Sequence, residues 1–167
     1  MSNKKIMEIE YKVVEKLIEK GYHITFAESC TAGLAAARIV NVPDASKVLD
    51  VSFVTYADEA KQKYVGVAEE TIATYGVVSK EVAGEMAAGA ARAMGAQVGV
   101  GITGIAGPTG GTATKPIGMV CFGFYIDGQI TTYTMQFGDI GRNNVRTASV
   151  DFCYKKLTEL LYGRSIC

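Results

Sequence analysis

The feature that most constrains the fold of this chain is an alternation of helical and strand-like segments. Apolar residues recur at helical spacing over 4–20 and 80–94, and Gly21 and Gly95 stand where these helices would end. Runs rich in β-branched and aromatic residues lie between and after them, and the last two runs flank an Asp-Gly hairpin turn at 127–128. The predicted helices cover 4–20, 32–40, 58–65, 80–94 and 142–162, and the predicted strands cover 22–27, 51–56, 97–103, 117–126 and 129–137.

The order of these segments predicts a layered α/β domain. Strands that are separated by helices pair in parallel, whereas hairpin strands pair antiparallel, so the sheet should be mixed. The chain has 167 residues, which is the length of one domain. We therefore expect a single domain over residues 1–167.

Charge and cysteine content narrow the classes of partner. Seventeen basic and seventeen acidic residues give a formal net charge of zero, which disfavours broad binding to nucleic acid or to an anionic membrane. No apolar run approaches the ~20 residues of a membrane span, and the N-terminal residues lack a signal-peptide core. The four cysteines form no CxxC pair, and the single histidine, His23, lies in a strand-like run. We expect a cytoplasmic protein without metal or cofactor, and without a nucleic-acid or membrane partner.

Two loops that follow predicted strands are candidate ligand sites. Ser29, Cys30 and Thr31 precede an alanine-rich helix, whose free N–H groups and dipole would favour an anion. The alternative is that Ser29 or Thr31 only caps that helix. The second loop, 104–111, contains four glycines at the end of a buried strand, where open α/β sheets bind ligands. Its alternative is a plain surface turn.

A third candidate consists of Ser46, Tyr56 and Lys61, which lie within sixteen residues. A nucleophilic serine needs a base, and a lysine whose pKa is depressed by apolar surroundings can serve as one. Spacing alone does not separate such a pair from ordinary surface residues. Ser29, at its strand-to-helix junction, is a second candidate for the nucleophile.

Four motifs, in order along the chain, resemble those of the CinA C-terminal-domain family. They are AESCTAGLAAARI, FVTYADEAKQKYVGV, YGVVSKEVAGEMAAGA and TGIAGPTGGTATKPIGMV, and the resemblance runs from about residue 8 to residue 160. The stand-alone members of this family include nicotinamide-nucleotide amidases. The resemblance implies a three-layer α/β/α sandwich with a mixed, mostly parallel sheet and a C-terminal antiparallel hairpin.

The resemblance also implies an activity, the metal-independent hydrolysis of the carboxamide of nicotinamide mononucleotide to nicotinate mononucleotide and ammonia in pyridine-nucleotide salvage. In this pattern Ser46 matches the nucleophile, Lys61 matches the base, and Tyr56 would orient or polarise the pair. One alternative is a catalytically silent nucleotide-binding or regulatory module of the same fold, associated with competence or DNA damage. Another is an amidase for a different phosphorylated amide.

The substrate contacts are carried over from the same resemblance. Thr103 matches a threonine before Gly-Ile-Ala-Gly, and Arg142 best matches an arginine that opens the last helix, with Arg146 as the alternative. Ala32 stands where the family has the first glycine of Glu-Ser-Cys-Thr-Gly-Gly. The alanine-rich helices could pack in the core or between copies in a homo-oligomer. The expected substrate-binding residues, which include a clamp for the phosphate, are Ser29, Cys30, Thr31, Thr103, Gly104, Gly107 and Arg142.

Overall fold

The computed structural model of the protein describes residues 8–163. In chain order its helices and strands are α1 (Ile9–Lys20), β1 (Ile24–Glu28), α2 (Leu34–Ile39), β2 (Phe53–Val54), α3 (Asp58–Val65), α4 (Glu69–Tyr75), α5 (Lys80–Met94), β3 (Val98–Gly104), β4 (Met119–Ile126), β5 (Gln129–Gln136) and α6 (Arg142–Tyr162), with a 3₁₀ turn at Ala45–Lys47. None of the helices in this part of the chain has both the length and the apolar character needed to cross a membrane.

The strands form one mixed sheet in the order β2-β1-β3-β4-β5. β1 pairs in parallel with β2 and with β3, whereas β3 with β4 and β4 with β5 pair antiparallel. Helices α1, α2 and α6 pack together on one face, and α3, α4 and α5 lie on the other. The structure thus confirms the three-layer α/β/α sandwich with a mixed sheet and a C-terminal hairpin.

Small residues let α5 lie close against the centre of the sheet. The buried face of α5 consists mostly of alanine and glycine, and it meets Gly99 and Gly101 of β3 and Gly123 of β4. A Cβ atom at Gly101 would overlap the backbone of Ala83 in α5. This close contact fixes the carboxyl end of β3, which forms one wall of the pocket described below.

Most predicted segments agree with the structure to within two residues, and α3, α5 and α6 begin and end where predicted. The strand predicted at 51–56 is shorter in the structure, because only Phe53–Val54 pairs with β1 as a strand. Helix α4 was not predicted, because it buries none of its residues and therefore carries no apolar stripe. Residues 4–7 of the first predicted helix lie outside the described residues.

Candidate active site

A pocket of about 190 Å³ opens at the carboxyl ends of β1 and β3. Because β1 and β3 are parallel neighbours, their carboxyl ends lie at the same edge of the sheet, and the segments that follow them converge there. The start of α3, the segment before α5 and the start of α6 complete the walls. The polar side chains that line the pocket are Ser29, Tyr56, Asp58, Lys61, Thr103 and Arg142.

Lys61 and Ser29 are in contact inside this pocket. Lys61 Nζ donates a hydrogen bond to Ser29 Oγ over 3.2 Å, and it also donates to the carbonyl oxygens of Thr55 (2.9 Å) and Tyr56 (3.2 Å). The Lys61 side chain is only 1% exposed, although it starts from the polar helix α3. Ser29 directly follows β1 and is also buried. The structure therefore brings the candidate base to the hydroxyl of Ser29.

The surroundings of Lys61 suit a group that gains and loses a proton. Burial lowers the pKa of Lys61, and the carboxylate of Asp58, with Oδ1 3.7 Å from Nζ, opposes that shift. As an ammonium, Lys61 donates its three protons to the three acceptors named above. As a neutral amine, it can still donate to both carbonyl oxygens while its lone pair faces the Ser29 hydroxyl. In both protonation states Lys61 Nζ keeps the Ser29 hydroxyl and the two carbonyl oxygens as hydrogen-bond partners.

The structure does not bring Ser46 to Lys61, so the predicted pairing of these two residues needs correction. Ser46 is exposed in the 3₁₀ turn. The chain then passes Val48, whose carbonyl accepts from the Ile24 amide at the beginning of β1. The pocket lies at the other end of β1, after Glu28, and at ~3.3 Å per residue this places Ile24 and Ser29 about 16 Å apart. Within one chain, and among residues 8–163, Ser29 is the serine that contacts the candidate base.

Arg142 reaches the pocket from the first position of α6. Its two terminal nitrogens donate to the carbonyl oxygen of Gly107 (2.8 Å) and to the Tyr56 hydroxyl (3.0 Å). Tyr56 therefore contacts Arg142 through its side chain and Lys61 through its carbonyl oxygen. Arg146, the alternative, donates to the carbonyl oxygens of Cys30 (3.0 Å) and Thr31 (3.3 Å) and thereby braces the turn after Ser29. Arg142 is thus the arginine that lines the pocket.

The N-terminus of α2 is already occupied by a carboxylate, which corrects the prediction of an anion site there. Glu28 is fully buried, and it accepts hydrogen bonds from the amides of Gly33 (3.1 Å), Ala35 (3.0 Å) and Ala36 (2.9 Å). These are the amides that a phosphate would have used. This role of Glu28 was not predicted, although an acidic residue that directly follows the strand-like run 22–27 was a signal for it, because a buried carboxylate needs local donors.

Cys30 and Thr31, two of the expected substrate-binding residues, differ in their access to the pocket. Cys30 lines the pocket, but burial raises the pKa of its thiol to about 12, so the thiol stays protonated near neutral pH. Thr31 is fully buried and its side chain is not part of the pocket wall. Among the residues that the structure describes, no group of three His, Cys, Asp or Glu side chains could hold a metal ion.

Thr103 and Gly104 stand at the pocket, whereas Gly107 stands behind it. The Thr103 hydroxyl donates to the Val77 carbonyl (3.0 Å), which leaves the lone pairs of its oxygen for a ligand. Gly104 is needed for strand packing, because a Cβ atom there would lie 2.7 Å from Val120 Cγ2. Gly107 acts through its carbonyl oxygen, the acceptor for Arg142.

The sequence and the fold identify the family of this chain. A sequence model of the CinA C-terminal domain matches residues 6–161. The chain belongs to the CinA C-terminal-domain family. A CinA-superfamily protein from Klebsiella pneumoniae has a crystal structure that covers 93% of this chain and 96% of its own, with a TM-score of 0.88 and 35% identity. The crystal structure of the competence/damage-inducible protein CihA from Agrobacterium tumefaciens covers 96% of this chain and 99% of its own, with a TM-score of 0.84 and 37% identity.

Curated members of the CinA family differ in length. The nicotinamide-nucleotide amidohydrolase PncC of Enterobacter agglomerans is 45% identical over 154 residues, which is 91% of this chain and 93% of that protein. A CinA-like protein of Kosmotoga olearia is 46% identical over 144 residues, 86% of this chain but 35% of that protein. The chain spans about a third of the length of several such relatives.

Proposed function

We propose that this protein hydrolyses the carboxamide of nicotinamide mononucleotide to nicotinate mononucleotide and ammonia. The contact between Ser29 and the buried amine of Lys61 is the observation that carries the proposal. An amide is a poor electrophile, so its hydrolysis needs an activated nucleophile. The relative of matching length named as a nicotinamide-nucleotide amidohydrolase supports this choice of amide.

Ser29 is our candidate for the nucleophile and Lys61 is our candidate for the base. The family pattern matches Ser46 to the nucleophile, but proton transfer requires a hydrogen bond, and Ser29 Oγ lies 3.2 Å from Lys61 Nζ. Because burial lowers the pKa of Lys61, a larger share of the amine is neutral at a given pH than for an exposed lysine. The neutral amine can then take the proton of the serine.

The reaction proceeds in two steps through an ester. Ser29 Oγ attacks the carboxamide carbon while its proton passes to Lys61 Nζ. The carbon–nitrogen bond breaks as Lys61 returns that proton to the departing nitrogen, so ammonia leaves and nicotinate mononucleotide remains esterified to Ser29. A water molecule then attacks the ester carbonyl, its proton passes through Lys61 to Ser29 Oγ, and nicotinate mononucleotide is released.

Arg142 is our candidate for the phosphate clamp. The Glu28 carboxylate occupies the N-terminus of α2, so a phosphate cannot bind there. The cation of Arg142 at the pocket wall is the group that would bind it instead. A guanidinium can hold a phosphate through two hydrogen bonds. Tyr56 orients this guanidinium through its hydroxyl group. We further infer that Thr103 Oγ1 accepts a hydrogen bond from the NH₂ group of the carboxamide, since the Thr103 hydroxyl donates its own hydrogen to the Val77 carbonyl oxygen.

We assign the reaction to pyridine-nucleotide salvage in the cytoplasm. Cys30, Cys121 and Cys153 are buried free thiols, as expected in a reducing compartment. The steps above use the side chains of this chain and require no metal ion.

Ammonia release tests the proposed function. The purified protein should release ammonia from nicotinamide mononucleotide much faster than from nicotinamide riboside or free nicotinamide, because only the mononucleotide carries a phosphate for Arg142. Equal rates on all three would remove the phosphate clamp. Absence of ammonia from all three, with the protein folded, would contradict the proposal and favour the silent nucleotide-binding module or an amidase for another phosphorylated amide.

A further inference from the structure

Asp58 is the carboxylate among the residues that line the pocket. It is the first residue of α3 and lies one turn before Lys61, which brings its Oδ1 to 3.7 Å from Lys61 Nζ. The Asp58 side chain is half exposed, whereas Lys61 is buried. At 3.7 Å the two groups form an ion pair but not a good hydrogen bond. Asp58 can therefore influence the charge of Lys61 without occupying its hydrogen-bonding positions.

The charge balance of the pocket changes when Lys61 takes a proton. Arg142 lines the same pocket and is permanently cationic, so a protonated Lys61 adds a second positive charge in a small space. The other titratable groups around Lys61 are the protonated thiol of Cys30, the phenol of Tyr56 and the carboxylate of Glu59 on α3. None of these three groups forms an ion pair with Lys61 Nζ, whereas Asp58 does.

We propose that Asp58 is a positioning residue that acts through Lys61, because its carboxylate stabilises the Lys61 ammonium between proton uptake from Ser29 and proton delivery to the departing ammonia. This inference rests on the proposed function. Asp58 need not touch the substrate, since it works as a counter-charge on the base. Burial and Asp58 act in opposite directions on the pKa of Lys61, and their balance keeps the amine useful both as a base and as an acid.

A purely structural role for Asp58 would be to stabilise the N-terminus of α3. Acidic residues in the first turn of a helix interact favourably with its dipole, and Glu59 stands in the same turn. Glu59→Gln is therefore the matched control, because it removes a first-turn carboxylate that forms no ion pair with Lys61. Asp58→Asn removes the ion pair while keeping the size of the side chain.

The first experiment follows Lys61 directly in protein labelled with ¹³C-lysine, without substrate. We expect Asp58→Asn to move the titration of the Lys61 Cε resonance to lower pH, whereas Glu59→Gln leaves it near that of the wild type. An unchanged Lys61 titration in Asp58→Asn would overturn the proposal. The resonance is assigned by its loss in Lys61→Met.

The second experiment measures kcat/KM for nicotinamide mononucleotide against pH. Asp58→Asn should shift the acid limb to lower pH by about half a pH unit or more and reduce the plateau several-fold, while Glu59→Gln should cause a clearly smaller shift and leave the plateau unchanged, because Glu59 acts on Lys61 without an ion pair. Identical profiles for the two variants would overturn a role in catalysis. If the wild type released no ammonia, the proposed function would fail, and the catalytic part of this inference would fail with it. The titration of the Lys61 Cε resonance would still decide whether Asp58 controls the charge of Lys61.

Discussion

Replacing Glu28 by Gln should destabilise the protein strongly, although the two side chains are nearly the same size. The Glu28 carboxylate accepts three amide hydrogen bonds of 2.9–3.1 Å, two on Oε2 and one on Oε1, and it is fully buried. A glutamine whose carbonyl oxygen keeps the two bonds of Oε2 turns its NH₂ group towards the amide of Ala36. That amide then loses its acceptor and faces another donor.

The magnitude follows from these contacts. A hydrogen bond to a charged acceptor contributes about 1.5–3 kcal/mol, and a carboxylate at a helix N-terminus adds up to about 1 kcal/mol. We expect Glu28→Gln to lower the free energy of unfolding by about 3 kcal/mol. For a domain of this size, each kcal/mol corresponds to roughly 2–4 °C, so the melting temperature should fall by about 6–12 °C.

Urea denaturation followed by circular dichroism is the assay, since the sequence contains no tryptophan. Glu85→Gln is the matched control, because Glu85 accepts from the Ala68 amide and the Thr71 hydroxyl but is only half-buried. Its substitution should cost about 1 kcal/mol. A loss below about 0.5 kcal/mol for Glu28→Gln, with an unchanged m-value, would refute the argument that Glu28 satisfies the N-terminus of α2.

Three further outcomes follow from the site. Arg142→Ala should raise the KM for nicotinamide mononucleotide by about 10- to 100-fold. Arg146→Ala should chiefly lower the melting temperature, and equal KM values for the two variants would argue against Arg142 as the phosphate clamp. Ala32 has a φ of 48°, a left-handed conformation that strains alanine but not glycine. Ala32→Gly should therefore raise the melting temperature by about 2 °C, because the relief of this strain exceeds the additional backbone entropy that glycine loses on folding. A lower melting temperature would contradict this. Ammonia release should survive dialysis against a strong chelator, and a loss reversed by added zinc or magnesium would exclude the mechanism.

The fold could be predicted in large part because its helices and strands carry local signals. Ser79 caps α5 through the Val82 amide, and Gly95 ends that helix in the left-handed conformation, as its type and position indicate. The hairpin between β4 and β5 follows from Asp-Gly at 127–128. By contrast, α4 buries none of its residues, so hydrophobic periodicity could not reveal it.

The site was predicted only in part because its geometry depends on how the strands pair. The motifs identified Lys61, Tyr56, Thr103 and Arg142, and the structure places all four at one pocket. The choice between Ser29 and Ser46 depended on the strand pairing, which brings Val48, two residues after Ser46, to the beginning of β1, whereas Ser29 follows its end. Sequence spacing carries no such information. The role of Glu28 was hidden for a similar reason, since sequence spacing does not reveal that the first amides of α2 point back to the carboxylate at the end of β1.

The identity of the acylated residue tests the central claim most directly. The protein is mixed with nicotinamide mononucleotide, quenched with acid within the first turnover, digested and examined by mass spectrometry for the mass of esterified nicotinate mononucleotide. The contact between Lys61 Nζ and Ser29 Oγ predicts the ester on Ser29, and it predicts that Ser29→Ala abolishes the ester while Ser46→Ala retains it. An ester on Ser46 or a thioester on Cys30 would contradict the assignment of Ser29 and Lys61 as the catalytic pair.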